Sequence, residues 1–145
     1  MENNNLNVLD EINKGCTMGM DALDLIKDKA EDDTFKEVLD GEYLKYKNIS
    51  VRVNDIYNNY TLDKEPHKTG TMTKMMTWYG IEMKTLTDKS SSKLSELLVT
   101  GTNMGIIEGR RLLNHNQHLP AEIEQVLNDF VVMQEDSVET LKKYL

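Results

Sequence analysis

The chain has 145 residues, of which 39% are hydrophobic and 29% charged, and its formal net charge is −8 at pH 7. This composition fits one globular domain, expected over residues 1–145, and the acidic balance argues against nucleic-acid and anionic membrane partners, which need clustered Lys and Arg. There is no apolar run of eighteen residues, no signal-peptide pattern and a single cysteine, Cys16. The sequence therefore predicts a cytoplasmic protein in a reducing setting.

Two long amphipathic helices are predicted in the first part of the chain. The first covers about residues 5–30, where apolar residues recur at spacings of three and four. The second covers about residues 34–60, with Asp33 or Thr34 as its N-terminal cap. Its heptad pattern continues for nearly four repeats, and Glu42 is the one charged member of its inward positions.

A linker and a methionine-rich piece are predicted next. Residues 61–70 contain Pro66 and connect the two helical pairs. In the piece that follows, apolar side chains fall on one face, which forms either part of the core or a dimer interface. The sequence leaves open whether residues 71–91 continue into the next helix or form a separate short helix. The candidate interface residues are Met72, Met75, Met76, Trp78, Tyr79 and Met83.

Two further long helices are predicted at about residues 92–114 and 121–144. Each carries a polar residue at an inward heptad position, Glu108 in the first and Gln134 in the second. No segment alternates with a period of two over a useful length, so strands are not expected. The predicted fold is therefore all-α, a four-helix bundle with a long crossover between its second and third long helices.

Polar residues at inward positions of three helices suggest an internal site. A di-metal site in such a bundle needs a Glu from two helices and a Glu-x-x-His from the other two. Lys45 follows Glu42 by three residues, and Ser137 follows Gln134 by three, so histidine is missing from both pairs. We therefore expect no metal ligand and no catalytic residue, but a polar core cluster of Glu42, Lys45, Glu108, Gln134 and Ser137.

Each residue of this polar core cluster has a structural interpretation and an alternative. For the three charged residues, we favour an internal ion pair or a device that fixes the helix register, and the alternatives are a metal ligand and simple exposure at the rim. Gln134 and Ser137 are interpreted as hydrogen-bonded core residues. Cys16 lies on an apolar seam, where an inert buried thiol is expected. His115 and His118 fall in a predicted solvated turn.

Two stretches give the chain a likeness to a known superfamily. They are Gly80-Ile81 followed by Thr85-Leu86, and Val99-Thr100-Gly101-Thr102-Asn103-Met104-Gly105-Ile106. With the helical pattern, they make the chain similar to a small bacterial branch of the ferritin-like, rubrerythrin-type superfamily with a degraded ligand set. The resemblance implies a left-handed four-helix bundle with one long crossover. The superfamily's carboxylate-bridged iron pair implies redox or iron-storage chemistry.

The sequence thus leads to two functional hypotheses. The first is a non-catalytic bundle without a cofactor, which acts through self-association, with a dimer favoured, or by binding an unidentified protein partner. The alternative is a metal-binding protein, with iron or manganese pairs, that has redox or peroxide-linked activity.

Overall fold

The structure, a computed structural model, describes residues 2–60 and 74–145. Within these two ranges the chain is helical and contains no strand, which confirms the predicted all-α class. No helix there is both long and apolar enough to cross a lipid bilayer. The predicted linker at residues 61–70 and Met72 lie outside the described residues. The helices are α1 (Glu2–Lys29), α2 (Asp33–Asn58), α3 (Lys74–Lys84), α4 (Ser91–His115) and α5 (Ala121–Lys142).

Short polar side chains set the helix boundaries. The N-cap of α2 is Asp32, one residue before the predicted caps, and its carboxylate accepts a hydrogen bond of 3.0 Å from the Phe35 backbone N–H. The N-cap of α4 is Ser90, whose hydroxyl oxygen accepts from the Lys93 N–H at 3.2 Å. Because α3 ends six residues before this cap, the methionine-rich piece is a separate short helix.

The four long helices pack as two antiparallel pairs. Residues 30–32 join α1 to α2, and residues 116–120 join α4 to α5, so the members of each pair lie side by side. The pairs meet through contacts of α2 with α5 and of α1 with α4. This arrangement is compatible with a helical bundle. The short helix α3 lies against α1 and α4.

Contacts at the two ends of the structure give the helix directions. The rings of Phe35 at the start of α2 and Tyr144 after α5 lie 5.2 Å apart, centroid to centroid. The amide nitrogen of Asn4 in α1 donates to the side-chain oxygen of Asn116 after α4 at 3.0 Å. The start of α1 therefore lies at the same end of the structure as the end of α4. Because α2 is antiparallel to α1, α2 also ends there, whereas α4 begins at the opposite end.

The candidate interface residues that the structure describes turn towards the core. Tyr79 is only 2% exposed and its ring packs against Gly101 of α4, which is the core placement that the sequence left open for this face. The remaining members, Met75, Met76, Trp78 and Met83, are partly buried and pack against the core. Apolar burial of this kind stabilises the fold by roughly 1.5–3 kcal/mol for each fully enclosed large side chain.

Candidate binding site in the bundle interior

A cavity of about 120 Å³ lies between the helices, and all five of them contribute to its walls. Most of the wall is apolar and includes Leu23, Met75, Leu98 and Phe130. Two exposed carboxylates, those of Glu11 and Glu108, line it where it approaches the surface between α1 and α4. The polar side chains that line it inside the bundle are Glu42, Tyr46, Tyr79, Thr102, Gln134 and Ser137.

Glycines on α4 make room for two of these polar side chains. Gly101, Gly105 and Gly109 are spaced by four, so they lie along one face of the helix. A Cβ added to Gly101 would meet the hydroxyl of Tyr79, and one added to Gly105 would meet the amide oxygen of Gln134. Because real Cβ contacts are essentially never so close, a Cβ at either position would force the neighbouring side chain to shift.

Glu42 is the one buried charged residue on α2, with 3% of its surface exposed. One carboxylate oxygen, Oε2, forms an ion pair of 2.5 Å with the Lys45 ammonium, whose side chain is 40% exposed. Residues three apart lie on the same helix face, which explains the pairing. The other oxygen, Oε1, has no hydrogen-bond partner within the described residues.

Gln134 and Ser137 on α5 are both enclosed, with 2% and 1% of their surfaces exposed. The Ser137 hydroxyl donates to the Met133 sulfur at 3.7 Å. The Gln134 amide nitrogen Nε2 has no hydrogen-bond partner in residues 2–60 and 74–145. A buried polar atom without a hydrogen-bond partner is uncommon and lowers the stability of the fold by about 1–3 kcal/mol.

Two tyrosines, Tyr46 and Tyr79, complete the polar lining of the cavity. The Tyr46 hydroxyl forms a hydrogen bond with the Thr102 side chain, and burial raises the pKa of Tyr46. The Tyr79 hydroxyl donates to the Leu97 carbonyl at 3.4 Å, and burial raises the pKa of Tyr79 as well. Both are therefore neutral phenols at physiological pH. In the sequence, the indication of this polar role was the hydroxyl group of each tyrosine, which needs a hydrogen-bond partner when it is buried.

The predicted inward position of Glu108 is wrong. Its side chain is 66% exposed and pairs with Arg111 at 2.7 Å. The inward face of α4 follows the spacing of four through Gly105 to Gly109, which is buried, and so passes beside Glu108. Rotation to the surface also spares the carboxylate the cost of desolvation. The structure therefore brings Glu42, Gln134 and Ser137 to the cavity interior and leaves Glu108 at its edge.

Cys16, His115 and His118 do not line the cavity. Cys16 is fully buried, and burial raises the pKa of its thiol to about 12, which keeps it protonated. His115 and His118 are exposed. Among the residues described, no three His, Cys, Asp or Glu side chains are placed together so that they could hold a metal ion.

A second polar cluster, not expected from the sequence, joins α1 to α2. The Ser50 hydroxyl donates to the side-chain oxygen of Asn13 at 2.8 Å. Nearby, the Tyr57 hydroxyl donates to the Asp10 carboxylate, and burial together with that carboxylate raises the pKa of Tyr57. These bonds pair buried groups with each other, so the cluster is a structural link between the two helices.

Comparison of the chain with known protein families, with characterised proteins and with solved structures finds no match. The class that the structure defines is an all-α protein compatible with a helical bundle.

Proposed function

We propose that the chain is a non-catalytic bundle of ferritin-like topology that acts by associating with a second copy of itself. The topology is supported by the helix directions. Two antiparallel pairs lie side by side, and the end of α2 is separated from the start of α4 by the length of the structure. Ferritin-like bundles have this pattern, with one long crossover between their second and third long helices.

The non-catalytic part of the proposal rests on the donors in the interior. The carboxylate of Glu42 already holds the Lys45 ammonium, which repels a divalent cation. Gln134 and Ser137 are neutral, and Glu108 pairs with Arg111 outside the bundle. One paired carboxylate and neutral oxygens do not suit a pair of redox metal ions, which bind to carboxylate and imidazole.

Metal content separates this proposal from the redox alternative. For protein produced in medium rich in iron and manganese, we expect elemental analysis to find well under one metal ion per chain, because the donors lack charge and imidazole. The variant Lys45→His with Gln134→Glu and Ser137→His restores two Glu-x-x-His pairs and serves as the comparison. Two bound metal ions per chain in the unaltered protein would favour the metal-dependent alternative.

The observation that carries self-association is an apolar heptad on the outer surface of α2. Leu44 and Val51 lie seven residues apart and are 56% and 51% exposed. Gly41 and Asn48 lie on the same face at the alternating spacing of three and four. Among the residues that the structure describes, a Cβ at Gly41 would meet nothing within 4 Å. This mid-helix glycine costs about 1 kcal/mol relative to alanine, and no close approach by another described residue accounts for it. The same face of a second copy would cover the two apolar side chains and pack closely against the glycine.

Sedimentation velocity and light scattering test the association. We expect the unaltered protein to have the mass of a dimer and the variant Leu44→Glu with Val51→Glu to be a monomer, since two desolvated carboxylates oppose helix packing. Ile107→Glu on α4 is the matched control, because Ile107 is also 51% exposed. A monomeric unaltered protein, or an association lost equally in the control, would contradict the role of α2 and leave binding of another protein as the hypothesis.

A further inference from the structure

The interior cavity has the size of a small organic molecule. Its volume is about 120 Å³, whereas a single buried water needs only about 10–15 Å³ and an apolar cavity of about 150 Å³ holds benzene. The glycines of α4 also line this space. Glu11 and Glu108 line it at the surface, between α1 and α4.

Two enclosed atoms, one on each of two residues that line the cavity, have opposite hydrogen-bonding needs. Oε1 of Glu42 is an acceptor without a donor, and Nε2 of Gln134 is a donor without an acceptor. Both residues line the cavity, and both are at least 97% buried. A hydroxyl group satisfies both kinds of need, because it donates one hydrogen bond and accepts others.

The charge balance selects a neutral occupant. The carboxylate of Glu42 repels an anion. Its charge is already balanced by the Lys45 ammonium at Oε2, so a cation at Oε1 would bring an uncompensated positive charge into an apolar interior. A neutral hydrogen-bond donor avoids both the repulsion by the carboxylate and the uncompensated charge. The walls beyond the two polar atoms are formed by side chains such as Leu98, Phe130 and Met75, which suit an aliphatic body.

We propose that the cavity is a binding site for a short aliphatic alcohol, with the hydroxyl held between Glu42 and Gln134 and the carbon chain against the apolar wall. This proposal is independent of the association through α2. The hydroxyl donates to Oε1 of Glu42 and accepts from Nε2 of Gln134. The carbon chain replaces water in contact with Leu98 and Phe130.

Methionine methyl resonances report binding at this site. Met18 and Met75 line the cavity, whereas Met20 and Met83 do not. In protein with ¹³C-labelled methionine methyl groups, we expect 1-butanol to shift the Met18 and Met75 resonances saturably in the millimolar range, because a ligand of five heavy atoms gains limited binding energy. Butylammonium and butyrate have a similar shape and opposite charges. Both should bind at least tenfold more weakly.

The role of the polar head is tested by Gln134→Met, which removes the amide and keeps the length of the side chain. We expect the dissociation constant for 1-butanol to rise about tenfold, as for the loss of one hydrogen bond. Gln125→Met on the exposed face of α5 is the matched control and should leave binding unchanged. The spectra of both variants without ligand show whether they are folded.

Four results would overturn the proposal. If 1-butanol shifts no cavity methionine, the cavity holds only water. If the resonances of Met20 and Met83 shift as much as those of Met18 and Met75, without saturation, the alcohol acts as a solvent. If butylammonium or butyrate binds as tightly as the alcohol, or Gln134→Met binds it unchanged, the two polar atoms do not select a hydroxyl.

Discussion

Replacing Gly101 with alanine is expected to lower the free energy of unfolding by about 2 kcal/mol, within the range for overpacking a core. Alanine normally stabilises a helix interior relative to glycine by about 1 kcal/mol. Here the new methyl group would overlap the ring and hydroxyl of Tyr79, so the ring, which is enclosed between α3 and α4, would have to shift. Urea denaturation followed by circular dichroism measures the change.

Gly80→Ala is the matched control for this substitution. Gly80 is also helical, but a Cβ there would meet nothing within 4 Å, so we expect a gain of up to about 1 kcal/mol. The variant Gly101→Ala with Tyr79→Leu should be less destabilised than the sum of its single changes, because the smaller side chain makes room for the methyl group. Stabilisation by Gly101→Ala alone would show that Tyr79 does not pack there.

Glu42→Leu is expected to raise the free energy of unfolding by about 1–3 kcal/mol, the cost of an enclosed polar atom without a partner. The leucine removes that atom and adds apolar contacts. The lost ion pair with Lys45 offsets little of this gain, since the lysine side chain is 40% exposed and solvent screens the pair. After the substitution, the ammonium turns to water. Urea denaturation again provides the measurement.

Glu37→Leu on the exposed side of the same helix is the control for Glu42→Leu, and it should change stability by less than about 0.5 kcal/mol. A loss of more than about 1 kcal/mol for Glu42→Leu would mean that the carboxylate stabilises the fold through the ion pair with Lys45, as in buried pairs whose removal leaves a charge unpaired. The gain expected here would show that the polar interior is maintained at a cost in stability.

The helical class and the bounds of the long helices were predictable because their apolar residues repeat with the helical period. The predicted second helix, at about residues 34–60, differs from Asp33–Asn58 by one or two residues. Whether residues 71–91 contain a separate short helix was left open. Ser90 caps the start of α4, and in the sequence such a cap competes with the continuation of one long helix. A hydrophobic pattern indicates the helical period well, but a break between two helices is indicated only by its capping side chains.

The candidate site was predicted less completely, for reasons that concern packing. The positions of Glu42 and Gln134 follow from the heptad. Glu108 was misplaced because a straight helix has 3.6 residues per turn, so the inward face drifts from a strict heptad and reaches Gly109. The place of Tyr79 was left open between core and interface, because its ring packs where α3 meets Gly101 on another helix. No local pattern shows which glycine will face which aromatic ring.

The division of the structure into two helical hairpins has a consequence for the folding kinetics. Only residues 30–32 separate α1 from α2, and residues 116–120 separate α4 from α5, so each hairpin is closed by a loop with a small entropic cost. Such local contacts form within microseconds. The contacts of α1 with α4 and of α2 with α5 join residues far apart in the sequence, which makes docking of the two hairpins the slower event.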